Sequence, residues 1–535
     1  MIPKFSLHIS RSRLSRRRLL AATAAASTSL ATARRFPAAA QTPVATPAAA
    51  AGPWHDTMEI PTNLAADASP RFRAVADALT QAMIKHGIPG AALGILMDGQ
   101  EEHAVFGVAN LETHEPVTPE TLFQAGSITK TFTGTAIMRL IADGRLDLYA
   151  PVRAYLPDLD LADDSVAARV TIRHLLTHTA GWWGDAFFDT GDGEDAVARF
   201  VQERLPTLPQ LFPLGMAPCY NNAAIVLLGR LIEVASGEDY RSAMQRLLLD
   251  PLAMTASTFV TQQVERGPYA LGYTSSPAGT VLQSPLYFPR GIDPAGGLWS
   301  TTREQLQYAR LHLADGVTPD GARLLPAYTT RLMRMPQERF TGISNIQVGL
   351  TWFVQEFGGV HLATHDGHTW GQHSSLLLAP EQGFALILLT NIETGGGGAD
   401  PAVLTTAGQA YLGLGEEAAQ IGMTDGPNFA PDAEPLPLAA EELSAYAGRY
   451  ATPDMAVILR VSDGQLLLSI EHPPVPDLIH PAIEGPPPQD VPISVISGER
   501  LAVGSFLLGA IVRQPDGAVG WLRFNILTLP RVSAG

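Results

Sequence analysis

Two pairs of strand-like segments stand far apart in this chain, and they constrain its fold more than any other feature. Ala91–Met97 and the run from His103 to Val108 flank the hairpin turn Asp98-Gly99. Ser374–Ala379 and Phe384–Leu389 flank a second turn, Pro380-Glu381-Gln382-Gly383. Strands joined by such short turns pair as neighbours. Between the pairs, residues 120 to about 345 read mostly as helices and long loops. Strands on both sides of a helical region predict one antiparallel sheet closed by the two ends of the region. Ahead of the first pair, Arg71–His86 has helical periodicity, with Val75, Leu79, Met83 and Ile84 on one stripe. The expected class is α/β (α+β), an antiparallel sheet sandwiched by helices with a helical insertion.

The chain has 535 residues, too many for one ordinary core, so two domains or more are expected. Gly395–Gly398 reads as a flexible loop, with a short helix after it to Leu412. Residues 415–437 are acidic and Pro-rich and read as a linker. From about Leu438 the texture changes to hairpins. Val457–Val461 and Leu466–Ile470 flank Asp463-Gly464, and further strands are expected over Leu501–Val512 and Val519–Leu529. This predicts a small β domain or barrel. The domain plan is an export signal over 1–41, a flexible tether over 42–65, a main domain over 66–414, a linker over 415–437 and a β-barrel-like domain over 438–535.

The first residues carry a targeting pattern. Arg16-Arg17-Arg18 precedes Leu19-Leu20 and an Ala/Thr/Ser-rich run, and Ala38-Ala39-Ala40 supplies small residues for cleavage. Ser15-Arg16-Arg17-Arg18-Leu19-Leu20 resembles a twin-arginine signal, so an exported location, periplasmic or extracellular, is expected. A membrane anchor is the weaker reading, because the apolar run falls short of the ~20 residues a span needs. No integral span is expected in the mature chain. Cys219 is the single cysteine, which excludes an intrachain disulfide. The net charge is −16, and nucleic acid is excluded as a partner because phosphate binding needs a basic face.

The chemistry centres on Gln124-Ala125-Gly126-Ser127-Ile128-Thr129-Lys130-Thr131-Phe132. Phe132, Ala136, Ile137, Leu140 and Ile141 continue it as a helical stripe that ends at Asp143-Gly144. Ser127 then sits at a helix start with Lys130 one turn later on the same face. Serine becomes a nucleophile when a base takes its proton, and a buried lysine with a lowered pKa can be that base. Ser-x-x-Lys by itself is a common pattern. Composition sharpens it: the chain holds 36 basic residues, and only Lys4, Lys85 and Lys130 are lysines. Arginine cannot give up its proton, so it cannot replace a lysine base.

With these residues the chain resembles the serine β-lactamase and penicillin-binding-protein superfamily, in the branch of class C β-lactamases, D,D-peptidases and esterases. Tyr220-Asn221-Asn222 matches that family's Tyr-x-Asn element, and His365-Asp366-Gly367 matches its Lys/His-x-Gly triplet, with Gly371 and Ser374 at the expected spacing. His174–Gly181 and Gly296–Ser300 are also similar, and the likeness runs from about residue 70 to 412. The resemblance implies a β-lactamase/transpeptidase-like fold with an all-helical subdomain. It implies that Ser127 forms an acyl-enzyme and that Lys130 and Tyr220 share the proton traffic. It further implies that Asn222 holds the lysine and substrate, that His365 and Gly367 line the wall, and that the backbone N–H groups of Ser127 and His368 form the oxyanion hole. The implied substrate is a small ester, an amide or a D-amino-acid peptide, with no cofactor and no metal.

The triplet departs from the β-lactamase pattern, with His365 in place of lysine and Asp366 in place of a hydroxyl residue. Both changes make a poorer carboxylate site. Trp182-Trp183 could line an apolar acyl pocket or belong to the core. A metal-dependent hydrolase built on the cluster of His361, His365, His368 and His373 is a rival reading, and a non-catalytic penicillin-binding-like protein is another.

Overall fold

An apolar strand with no polar alternation must be covered on both faces. Phe384–Thr390 is such a strand, buried at every position. The computed structural model describes residue 60 and residues 62–532, apart from 277–278, 341–345, 394, 423–427, 430–433, 480–489, 497–498 and 504–505. The expected export signal and most of the tether lie outside the described residues. The main sheet has ten strands. Its principal members are β1 (Thr62–Leu64), β2 (Gly90–Met97), β3 (Gln100–Asn110), β4 (Phe353–Phe357), β5 (Val360–His368), β6 (His373–Ala379) and β7 (Phe384–Thr390). Their order is β1-β3-β2-β7-β6-β5-β4, antiparallel throughout. β7 pairs with β2 through Leu388↔Leu93 and Leu386↔Ile95, so the two ends of the domain close one sheet as expected.

Helices cover both faces. Five helices matter to the site and its frame: α1 (Pro70–His86), α2 (Thr129–Ala142), α3 (Asn222–Ser236), α4 (Thr302–Leu313) and α5 (Gly395–Leu412). α1 starts where the Ser69 hydroxyl accepts from the Phe72 N–H, and it ends at left-handed Gly87. Its buried stripe packs with α5 on one face of the sheet. α2, α3 and α4 build the larger core on the other face. The Phe132 ring of α2 lies 3.7 Å from the Tyr308 ring of α4, stacked and fully buried.

Three sequence expectations need correction. The tether ends earlier than residue 65, because Thr62–Leu64 pairs with Ala104–Phe106 as an edge strand. The glycine run is no loop: α5 begins at Gly395. A Cβ on Gly398 would sit 2.7 Å from the His86 ring, so glycine is what lets α5 approach α1. The linker starts as structure, since Glu416–Gln420 forms a 3-10 turn that places Ala418 and Ile421 in the core beside α5. The strands expected over 501–512 and 519–529 are present, as Arg500–Val503 and Phe506–Arg513 and as Val519–Phe524 and Leu527–Val532.

Those strands form an eight-stranded barrel: β8 (Gly448–Ala451), β9 (Ala456–Ser462), β10 (Gln465–Glu471), β11 (Val491–Ile496), β12 (Arg500–Val503), β13 (Phe506–Arg513), β14 (Val519–Phe524) and β15 (Leu527–Val532). β8 pairs with β15, and β13 pairs with β14, which closes the ring. Closure removes the exposed edges an open sheet would leave. Tyr450, Val457, Leu501, Leu522 and Leu529 fill it. The barrel bonds to the main domain through Trp521 Nε1 to the Leu211 carbonyl at 3.2 Å and Trp183 Nε1 to Asp454 Oδ1 at 2.8 Å. Among the described residues no helix is long and apolar enough to cross a membrane.

Phe132→Ala should lower stability by about 3–5 kcal/mol, the usual effect of emptying a buried aromatic site. Urea unfolding measures it, and an unchanged midpoint would mean that the stack with Tyr308 adds nothing to the core.

Candidate active site

Ser127 owes its position to two glycines. Gly126 has φ +51°, and a single 3-10 turn, Gly126–Ile128, leads into α2. A Cβ on Gly126 would lie 3.0 Å from the His368 nitrogen, and one on Gly367 would lie 2.1 Å from the Ala125 carbonyl oxygen. The turn therefore rests against the end of β5, backbone on backbone. Ser374 Oγ fastens the contact by donating to the Ala125 carbonyl at 2.8 Å.

Lys130 is fully buried. Its Nζ donates to Ser127 Oγ at 2.8 Å and to the Ala295 carbonyl at 2.7 Å, and it lies 4.8 Å from the centre of the Tyr220 ring. Burial pulls the ammonium down to about 7, while the Asp185 carboxylate pulls the other way. A lysine in this state can hand a proton to its neighbour or take one near neutral pH.

Asn221 caps α3, accepting from the Ala224 N–H at 2.7 Å and donating to the Trp182 carbonyl at 2.8 Å. This holds Tyr220 just ahead of the helix, where its ring lies 4.8 Å from His178. His178 is buried and accepts from the Asn221 N–H, and burial, with Lys130 next, holds it well below its ordinary pKa. Asn222 donates to Asp185 at 2.9 Å, so it reaches the lysine through that carboxylate and not directly. His365 is buried, with Nδ1 2.7 Å from the Asp366 carbonyl and its ring 5.1 Å from that of Phe353.

Ser127, Tyr220, Asn222, His365 and His368 meet at one cavity of about 380 Å³. Gly367 lies behind them as the close-contact residue of β5. Phe187, Phe288 and Trp370 line the cavity on one side, with the Phe288 and Trp370 rings 4.8 Å apart. The hairpin tip Phe524–Leu527 of the barrel lines it on another, and the Ile526 carbonyl accepts from the Tyr220 N–H at 3.0 Å. Trp182 and Trp183 lie in the core instead. Alternation along β5 divides the histidine cluster: His361 and His365 point to one face, His368 and its partner His373 to the other. His361 Nε2 bonds the Arg334 carbonyl, away from this cavity. Among the described residues no three His, Cys, Asp or Glu side chains are grouped to hold a metal ion.

The Beta-lactamase family model matches residues 75–408, which contain every one of the predicted site residues. The chain belongs to the Beta-lactamase family. Penicillin-binding protein 4 of Amycolatopsis lactamdurans is 33% identical over 371 residues, covering 68% of this chain and 94% of that protein. The crystal structure of SurE with D-Leu is 26% identical with a TM-score of 0.64, and the match covers 86% of this chain and 99% of that one. A class C β-lactamase from Rhodobacter sphaeroides shares the fold, at 21% identity and a TM-score of 0.51, over 64% of this chain and 99% of its own. Most members of the Beta-lactamase family are serine hydrolases, and membership supports a serine-hydrolase-like function in general terms.

Asp185, Phe288, Trp370 and the barrel tip escaped the sequence reading. The first three come from loops with no periodicity, and the barrel tip lies within the stretch expected as strand over Val519–Leu529, where nothing linked it to the site; only Asp185 left a signal, as a lone carboxylate after Trp-Trp-Gly in a region similar to the family.

The depressed lysine has a consequence for stability. Between about pH 7 and the ordinary lysine value of 10.5, the unfolded chain binds the proton that folded Lys130 releases. Wild-type stability relative to Lys130→Met should therefore rise with pH across that window and be lowest below it. Urea midpoints of both proteins from neutral to alkaline pH test this. A gap that stays constant would mean that the amine titrates normally.

Proposed function

We propose that the protein is an exported serine hydrolase that cleaves esters or amides through an acyl-enzyme on Ser127. The observation that carries this is the 2.8 Å contact between Ser127 Oγ and a fully buried amine drawn to about 7. Neutral Lys130 takes the hydroxyl proton as Oγ attacks the carbonyl carbon. The backbone N–H groups of Ser127 and His368 receive the developing oxyanion. Tyr220, beside the lysine, returns the proton to the leaving group, and water then releases the acyl group from Ser127. The leader pattern over residues 1–41 supports export by the twin-arginine route.

The aromatic and aliphatic lining favours a substrate with a bulky apolar group. His365 and Asp366 in place of a lysine and a hydroxyl make β-lactams poor substrates. A D-amino-acid peptide or ester is the preferred class, in keeping with the D-Leu bound by SurE and with the penicillin-binding relative.

Hydrolysis of p-nitrophenyl butyrate by wild type and Ser127→Ala is the direct test. The variant should lose nearly all turnover and all labelling by a fluorophosphonate while keeping its fold; wild-type turnover in Ser127→Ala would defeat the proposal. Wild-type kcat/KM should rise with pH through about 7, as Lys130 loses its proton. Because the Asp185 charge raises that value, Asp185→Asn should move the acid limb to lower pH; a limb that stayed in place would separate it from Lys130.

A further inference from the structure

The proposed reaction leaves unused a second cavity of about 380 Å³ that adjoins the catalytic one. Volumes of this size hold small-molecule ligands. The two cavities share Phe288 and Trp370, so the edge-to-face pair of those rings stands between them. Beyond the pair the wall includes Asp189, Asp192, Arg241, Gln262, Arg290 and, from the segment between β10 and β11, Ile479. These parts are tied together within the protein itself. The Ile479 N–H donates to the Phe187 carbonyl at 2.8 Å. Arg290 Nη1 donates to the Asp192 carbonyl at 2.8 Å and Nη2 to Asp239 at 3.2 Å. Arg241 Nε donates to Asp293 at 2.5 Å.

The position of Tyr220 decides which part of a substrate faces this cavity. In the proposed reaction the leaving group lies against Tyr220, whose backbone is tied to the barrel tip through the Ile526 carbonyl. The acyl part then takes the other side, where Phe187, Phe288 and Trp370 stand. Phe288 also lies close to the turn that carries Ser127: a Cβ on Gly296 would sit 2.9 Å from its ring and 3.9 Å from the Gly126 carbonyl carbon. An acyl chain that runs from Ser127 past Phe288 enters the second cavity. Charge narrows what that cavity holds. Arg241 and Arg290 are both paired with carboxylates, and Asp189 and Asp192 leave the lining net negative.

We propose that this second cavity binds the remote part of the acyl chain, so that the substrate is a peptide with further residues ahead of the one whose carbonyl Ser127 attacks, neutral or basic at the far end. The proposal rests on the hydrolase reading for the carbonyl and on the shared ring pair for the path. Remote binding of this kind speeds a distant bond when it fixes the acyl carbonyl against the nucleophile. The Gln262 amide can both donate to and accept from the backbone of such a chain. An acidic far end meets the two carboxylates and is disfavoured.

Two p-nitrophenyl esters with one leaving group test it, N-acetyl-D-leucine and N-acetyl-Ala-Ala-D-leucine. Wild type should favour the longer ester by about tenfold in kcat/KM, the worth of one hydrogen bond. Gln262 is exposed at the cavity wall, and Gln262→Trp should bring that ratio close to one. With Lys in place of the first Ala the longer ester should outrun its Glu counterpart. Photo-crosslinking reads the path directly, using Ser127→Ala and a p-nitroanilide of the same peptide with photoleucine as its first residue. Marks should fall within 187–192, within 285–290 or on Ile479. A wild-type ratio of one, a ratio that survives Gln262→Trp, a Glu ester as good as the Lys ester, or marks confined to the barrel tip overturns the proposal. If Gln262→Trp does not fold, the wild-type ratio and the crosslink still decide. A wild type inactive on both esters would count against the hydrolase reading, and the crosslink in Ser127→Ala would still decide where the chain lies.

Discussion

A lysine amine taken wholly out of water and set against a serine hydroxyl is the interaction on which the rest of the arrangement depends. Desolvation alone would expel it or leave it an orphan donor. The Ala295 carbonyl and Ser127 Oγ accept its hydrogens, and the Tyr220 ring lies beside it. Each of those partners comes from a different part of the chain, so the amine can be satisfied only when α2, α3 and the segment around Ala295 are packed together. The large core on that face of the sheet supplies the packing. The fold thus places the reactive pair and also lowers the proton affinity of one member.

The sheet contributes a second constraint. Its β5 strand must come close enough for backbone to touch backbone at Gly126 and Gly367, because any side chain there would occupy the space of the Ala125 carbonyl or the His368 nitrogen. Strand alternation then sorts the neighbouring residues. His365 goes to the side of Ser127 and Lys130, while Asp366 and His368 join His373, Ser375 and Asp400 on the other. One strand therefore serves two polar systems that border one cavity.

Much of this was legible in the sequence, and the reason is locality. Ser127 and Lys130 are one helical turn apart, Tyr220 and Asn222 flank a helix cap, and His365 to His368 share a strand, so each group is fixed by short-range geometry. The closure of the sheet followed from apolar hairpins at both ends of the helical region. What was not legible depends on contacts between distant loops. Asp185 meets Asn222 from 37 positions away. Phe288 and Trp370 come together only after the sheet is complete. Trp182 and Trp183 looked suited to a pocket, yet their apolar surface was better used in the core and at the barrel junction. The glycines at 395–398 looked like a loop because their lack of side chains serves close helix packing as well as it serves flexibility.

The bond from the Tyr220 N–H to the Ile526 carbonyl has a wider meaning. It joins the backbone of a family motif to a β-hairpin that carries no motif at all. The same hairpin forms part of the cavity wall. Part of the wall around the family's Ser-x-x-Lys, Tyr-x-Asn and His-x-Gly residues is thus built by a domain outside those signatures. For this architecture, catalytic signatures alone leave out the part of the cavity wall that the last hundred residues supply.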